Sequence, residues 1–161
     1  MPLIKDGAFA EDPFVRAADD APLTDAPTIV SYARFAKERD TLLARNAPLG
    51  IRLKPADNPE ALGDDVHHFT VVELEFPSFS DGRGFSWARI LRTRMHYKGE
   101  VRSVGHTIYD QLPLLHRVGV NAFEVPEGFT IEKYNRALGE MTNVYQPSAD
   151  GRKTIRDLRA G

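Results

Sequence analysis

From residue 27 onward, short β-branched or apolar runs alternate five times with stretches of helical periodicity, joined by brief connections. This rhythm constrains the fold more than any other feature of the chain. Strands separated by a helix do not form hairpins; right-handed crossovers join them, and they lie parallel in one sheet. The strand runs are Thr28-Ile29-Val30, Leu49 to Leu53, Phe69 to Phe76, Glu100 to Gly105 and Asn121 to Val125. Phe69 to Phe76 begins almost continuously apolar, which suits a central strand covered on both faces.

The intervening segments carry helix signals. Phe35, Leu42 and Leu43 share one face of the first. Asn58 caps a short second helix with Pro59 at its first position. From Ser86 to Met95, the residues Trp87, Ile90, Leu91 and Met95 form an apolar stripe. Ile108 to Val118 is a fourth helix, in which Pro113 predicts a kink and Gly119 a left-handed end. Ile131 to Glu140 is the fifth. The fold class is therefore α/β, five βα units on a mainly parallel sheet. Two architectures fit: half-barrel-like, a partial TIM-like barrel, or flavodoxin-like. Strand starts near 50, 70, 101 and 121 tilt the reading toward the barrel.

Residues 1–26 form a different block. Leu3-Ile4 and Ala8-Phe9-Ala10 flank Asp6-Gly7, a short hairpin with a tight turn, and an irregular acidic arm follows. Residues 27–145 make the single α/β domain, and 146–161 a polar C-terminal tail.

Composition narrows the chemistry. The 161 residues include no cysteine, which excludes disulfides, thiol redox chemistry, cysteine-ligated Fe–S clusters and Cys-type zinc sites. A net charge of −2 gives no overall pull toward nucleic acid or anionic membrane. No apolar run approaches the ~20 residues that span a bilayer. The first residues meet acids before any apolar core of a signal peptide, so the expected location is cytoplasmic. There is no phosphate-binding or dinucleotide glycine fingerprint and no nucleophile elbow. His67-His68 is adjacent rather than spaced for one ion, and His96 and His116 lack partners, so no metal site is assigned.

Parallel α/β sheets take ligands at the C-terminal ends of their strands. That rule selects the loops at 77–85, 106–110 and 126–130. The first reads PSFSDGRGFS: two glycines flank Arg83, Asp81 precedes them and Ser86 opens the expected helix. Glycine backbone at a helix start can hold an anion, and arginine adds a fork of donors. Arg83, Arg89, Arg92, Arg94, Lys98 and Arg102 concentrate positive charge there; a solvated helix face is the plainer alternative. Asp81 and His106 are the candidates for proton transfer. Gly82, Arg83, Gly84, Ser86, Arg92, Arg102, Asp110 and Gln111 are the candidates for binding an anion or a partner.

The same residues carry a resemblance. Phe76 through Ser86, then Ala88, Leu91-Arg92, Gly99 to Arg102, Gly105 and Asp110-Gln111 resemble a bacterial family catalogued as domain of unknown function 934, from about Leu3 to Arg159. The resemblance implies a setting in sulfite reduction. Members are described as oxidoreductases because their genes neighbour those of assimilatory sulfite reductase, which indicates a pathway and not a reaction. Where an acidic residue is expected after the glycine of the fourth strand, this chain has His106. Three functions follow as expectations. The first is an accessory protein of assimilatory sulfite reduction, partnering sulfite reductase or related sulfur-assimilation enzymes. The second is an enzyme acting on a small anionic substrate at the strand ends. The third is a non-catalytic anion or nucleotide sensor. No motif encodes a cofactor, and a bound flavin is compatible with the sequence. Open half-barrel edges would favour a homodimer.

Overall fold

The computed structural model describes residues 1–160. Its strands are β1 (Leu3–Lys5), β2 (Ala8–Ala10), β3 (Val15–Arg16), β4 (Thr28–Ser31), β5 (Leu49–Leu53), β6 (Val71–Phe76), β7 (Glu100–Gly105) and β8 (Ala122–Glu124). The α-helices are α1 (Tyr32–Leu43), α2 (Arg83–Thr93), α3 (Leu112–Val118), α4 (Ile131–Glu140) and α5 (Ile155–Ala160). All eight strands join one sheet in the order β2-β1-β8-β7-β6-β5-β4-β3. From β3 through β8 every neighbour is parallel, whereas β1 runs antiparallel to both β2 and β8. Strands β4 to β8 follow one another in space as in sequence. A flavodoxin-like sheet would reverse strand order at a switch point; this one winds in a single direction, and the sheet is a curled half-barrel.

Chain geometry makes the curl obligatory. Between β2 and β3 lie seven inter-strand steps, about 34 Å in a flat sheet. Only residues 11–14 link those strands, and from Ala10 to Val15 the chain reaches at most about 18 Å. The sheet must bend until its edges approach. Arg16 on β3 accordingly bonds Glu124 on β8 across the opening. The short link is a strap over the concave face.

Register divides the strands by face. Val30, Ile51, Val72 and Val101 form one row, and Leu53, Leu74, Ser103 and Phe123 the next. These convex rows pack under Phe35 and Leu42 of α1, Ala88 and Leu91 of α2, Leu115 of α3 and Ala137 of α4 in one buried cluster. The concave face carries the complementary set, including Arg52, Glu73 and Arg102 in direct register.

Several sequence expectations shift in detail. The second crossover is a 3₁₀ helix, Pro59–His68, capped by Asn58 as expected but broken at Gly63. It carries His67-His68 at its end. Helix α2 starts at Arg83, three residues before the expected Ser86. Pro113 does not kink a helix; a 3₁₀ turn, Tyr109–Gln111, precedes it, and it sits in the first turn of α3, where a missing N–H is harmless. Gly119 ends α3 at φ 105°, as expected. The arm contributes β3, and the polar tail is ordered onto the body. Arg117 bonds Asp150 at 3.0 Å, Thr154 is buried, and α5 follows it.

Candidate functional site: strand-end loops and a charged interior

The Asp81–Arg83 pair forms, but it closes on itself. Asp81 Oδ1 accepts from Arg83 Nε at 3.0 Å and Oδ2 from Nη2 at 2.7 Å, while the Arg83 backbone N–H also reaches Oδ1. The bonds from Arg83 hold the Asp81 carboxyl below the usual carboxylate range, although partial desolvation acts the other way. Asp81 is therefore ionised at neutral pH, and its bonds to Arg83 clamp the turn. Gly82 stands at the N-cap of α2 without a side-chain cap. Gly84 packs on the core: a Cβ there would lie 2.4 Å from the Phe76 ring, so this glycine lets α2 press on β6. Since the Arg83 guanidinium is exposed, Arg83→Ala should change stability by less than about 0.5 kcal/mol in urea unfolding. A loss well above that would show a tertiary role these contacts do not contain.

The second loop is joined to the first. Gly105, at φ 92°, ends β7 where a Cβ would meet the Phe76 carbonyl oxygen at 2.5 Å. The His106 N–H donates to that carbonyl at 2.7 Å, leaving its imidazole exposed. Gln111 braces the pair of loops: its Nε2 donates to the Phe79 carbonyl at 2.8 Å and its Oε1 accepts from the Ile108 N–H at 3.2 Å. Asp110 lies exposed in the 3₁₀ turn and Ser86 exposed on α2. The side chains of Phe79 and Ile108 point outward, 62% and 43% exposed.

Two predicted binding residues lie elsewhere. Arg92 donates to the carbonyls of Gly119, Tyr97 and Gly99 and to Asn121 Oδ1. Those acceptors precede β7 and β8, so Arg92 ties chain at the N-terminal ends of the strands. It stacks over Tyr97, and burial lowers its pKa from the usual arginine value. Arg102 is buried on the concave face. Arg94 bonds Glu60 and Arg83 bonds Asp81, both on the surface, so with Arg92 and Arg102 four of the six cations have partners within the chain. An open cleft of about 420 Å³ lies by the C-terminal end of α2, lined by Glu60, Gly63, Asp64, His67, Arg94, Met95 and His96, away from the strand ends that sequence favoured. Among the described residues, no group of three or more His, Asp or Glu side chains could hold a metal ion, and no helix is long and apolar enough to cross a membrane.

Sequence reasoning missed the charged interior. Glu73, fully buried on β6, accepts from Arg16 at 2.6 Å, Arg52 at 2.9 Å and Arg102 at 3.3 Å. Arg102, also buried, bonds Glu100 at 2.7 Å and the strap's Asp12 at 2.7 Å. Lys5 reaches Glu100, and Arg16 reaches Glu124. Burial works against the charge on Arg102, yet bonds from Asp12 and Glu100 more than offset it and raise its pKa. A barrel of this strand number has an interior just wide enough for side chains. Here a lattice of alternating charges occupies it together with the apolar Ile29, Val71, Val104 and Ala122.

An α/β half-barrel whose strand-end loops are braced together, above an interior of paired charges, is the class that fold and site define. A family model described as bacterial protein of unknown function (DUF934) matches residues 50–156, from β5 into α5. The chain belongs to that family. No curated protein and no solved structure matches it.

Proposed function

We propose that the chain is a non-redox accessory protein of assimilatory sulfite reduction that docks a component of the reductase machinery through its strand-end loops. The pathway comes from the family resemblance, and the docking mode from geometry. One observation carries the latter: Gln111 fastens the loops of Phe79 and Ile108 to each other, so two exposed apolar side chains are held on an ordered support. Apolar anchors presented rigidly, with charged groups at the rim, are what partner surfaces use. The competing reading, catalysis on a small anion by Asp81 and His106, is disfavoured by the clamp in which both Asp81 oxygens are already engaged by Arg83. The docking reading predicts that tagged protein retains sulfite reductase from an extract of sulfate-grown cells. Phe79→Asp should lower that recovery at least about tenfold, the equivalent of roughly 1.4 kcal/mol, with unfolding unchanged. Equal recovery by wild type and variant would overturn this surface.

A further inference from the structure

The concave face has one charged couple that the interior lattice does not use up. Arg52 and Glu75 each stand one residue before the end of a parallel strand, β5 and β6, and register places both side chains on the concave face. That is the rim where parallel α/β sheets receive ligands. Their neighbours at this level are already paired or capped. Arg16 bonds Glu73 and Glu124, and Ser31 donates to Asp19 while accepting from the Arg34 N–H at the start of α1. Arg52, by contrast, engages only its Nε, with Glu73 at 2.9 Å; among the described residues neither Nη atom makes a hydrogen bond. Its Nη1 is 3.9 Å from Glu75, too far for a hydrogen bond and close enough to share a ligand. Both side chains keep about three-tenths exposure, so the couple opens to solvent while its base is fixed by Glu73.

Charge decides the ligand class. A simple anion would gain the Arg52 fork but meet the Glu75 carboxylate; a simple cation would face the reverse. A molecule with both charges on neighbouring atoms satisfies both groups. We infer that the Arg52–Glu75 rim binds a small zwitterion of the α-amino acid type, its carboxylate received by the two Nη groups of Arg52 and its ammonium by Glu75. This site lies on the concave rim and is independent of the Phe79 surface.

Glycine is the smallest probe of this chemistry, with acetate and methylammonium as its two halves. In nitrogen-15 spectra at matched ionic strength, glycine should produce saturable shifts at the Arg52 Nε–H and at the Leu53 and Phe76 amides. Acetate and methylammonium should each bind at least about tenfold more weakly. Glu75→Gln should remove the preference for glycine over acetate, and Arg52→Lys, which keeps the charge but loses the fork, should weaken glycine by a similar factor. Should Arg52→Lys fail to fold because of its bond to Glu73, Glu75→Gln alone carries the test. Equal effects of the three probes, shifts confined to the 77–85 loop, or unchanged glycine binding by Glu75→Gln would each overturn the site.

Discussion

Glu73→Gln is expected to destabilise the protein by about 3–5 kcal/mol, the range seen when one partner of a buried ion pair is removed. Glu73 is fully buried and accepts from three arginines, one of them, Arg102, equally buried. The amide keeps the shape but loses the charge, and its NH₂ is thrust at guanidinium donors that need an acceptor. Glu75→Gln, two residues along the same face, is the internal control. Its side chain is partly exposed and its nearest cation is 3.9 Å away, so the expected change is within about 0.5 kcal/mol. Urea unfolding of both variants reads the difference directly. Neighbours in one network are not additive, so Glu73→Gln combined with Arg102→Met should lose less than the two single changes together. Buried ionic sets are weak contributors to net stability; the lattice is expected to make the interior intolerant of partial replacement, not unusually stable.

The adjacent residue gives the opposite rule. Leu74→Asp should leave little folded protein. Leu74 is buried on the convex face, in a row with Leu53 and Phe123 under the helices. Truncating such a side chain costs about 2–5 kcal/mol. A carboxylate without a partner adds a further desolvation penalty of several kcal/mol, and the sum rivals the roughly 5–15 kcal/mol that holds a domain folded. A folded Leu74→Asp protein with a wild-type unfolding midpoint would place Leu74 outside the core. Thus on β6 the concave face depends on the Glu73 charge, and the convex face at Leu74 forbids one.

The convex half of this rule was legible in the sequence, and the concave half was not. Strand runs such as Leu49 to Leu53 and Glu100 to Gly105, the Asn58 cap and the Gly119 terminus depend on neighbours within a few residues, and they stand where expected. The interior depends on pairs far apart in the chain: Arg102 meets Asp12 across 90 positions and Glu73 meets Arg16 across 57. A local signal did exist. Glu73 and Glu75, and Glu100 and Arg102, each stand two positions apart in mostly apolar strands, and Arg52 is the one charge of β5; two is the period of one sheet face. Proximity in sequence instead groups Arg102 with the arginines of α2, as though the cations between 83 and 102 share one surface. Arg92 shows why they do not: helix and strand direct neighbouring cations to opposite ends of the sheet. The loop expected at 77–85 ends at Gly82, the N-cap of α2, and its glycines do not reveal that Gly84 makes room for Phe76.

Docking and catalysis at the strand ends separate in one growth measurement. Phe79→Asp and Asp81→Asn would be compared in a strain lacking the chromosomal copy, on sulfate and on sulfide as sole sulfur source. Docking predicts that Asp81→Asn grows like wild type on both, whereas Phe79→Asp fails on sulfate and grows on sulfide. Failure of Asp81→Asn on sulfate with normal growth of Phe79→Asp would contradict the account and return the site to proton chemistry.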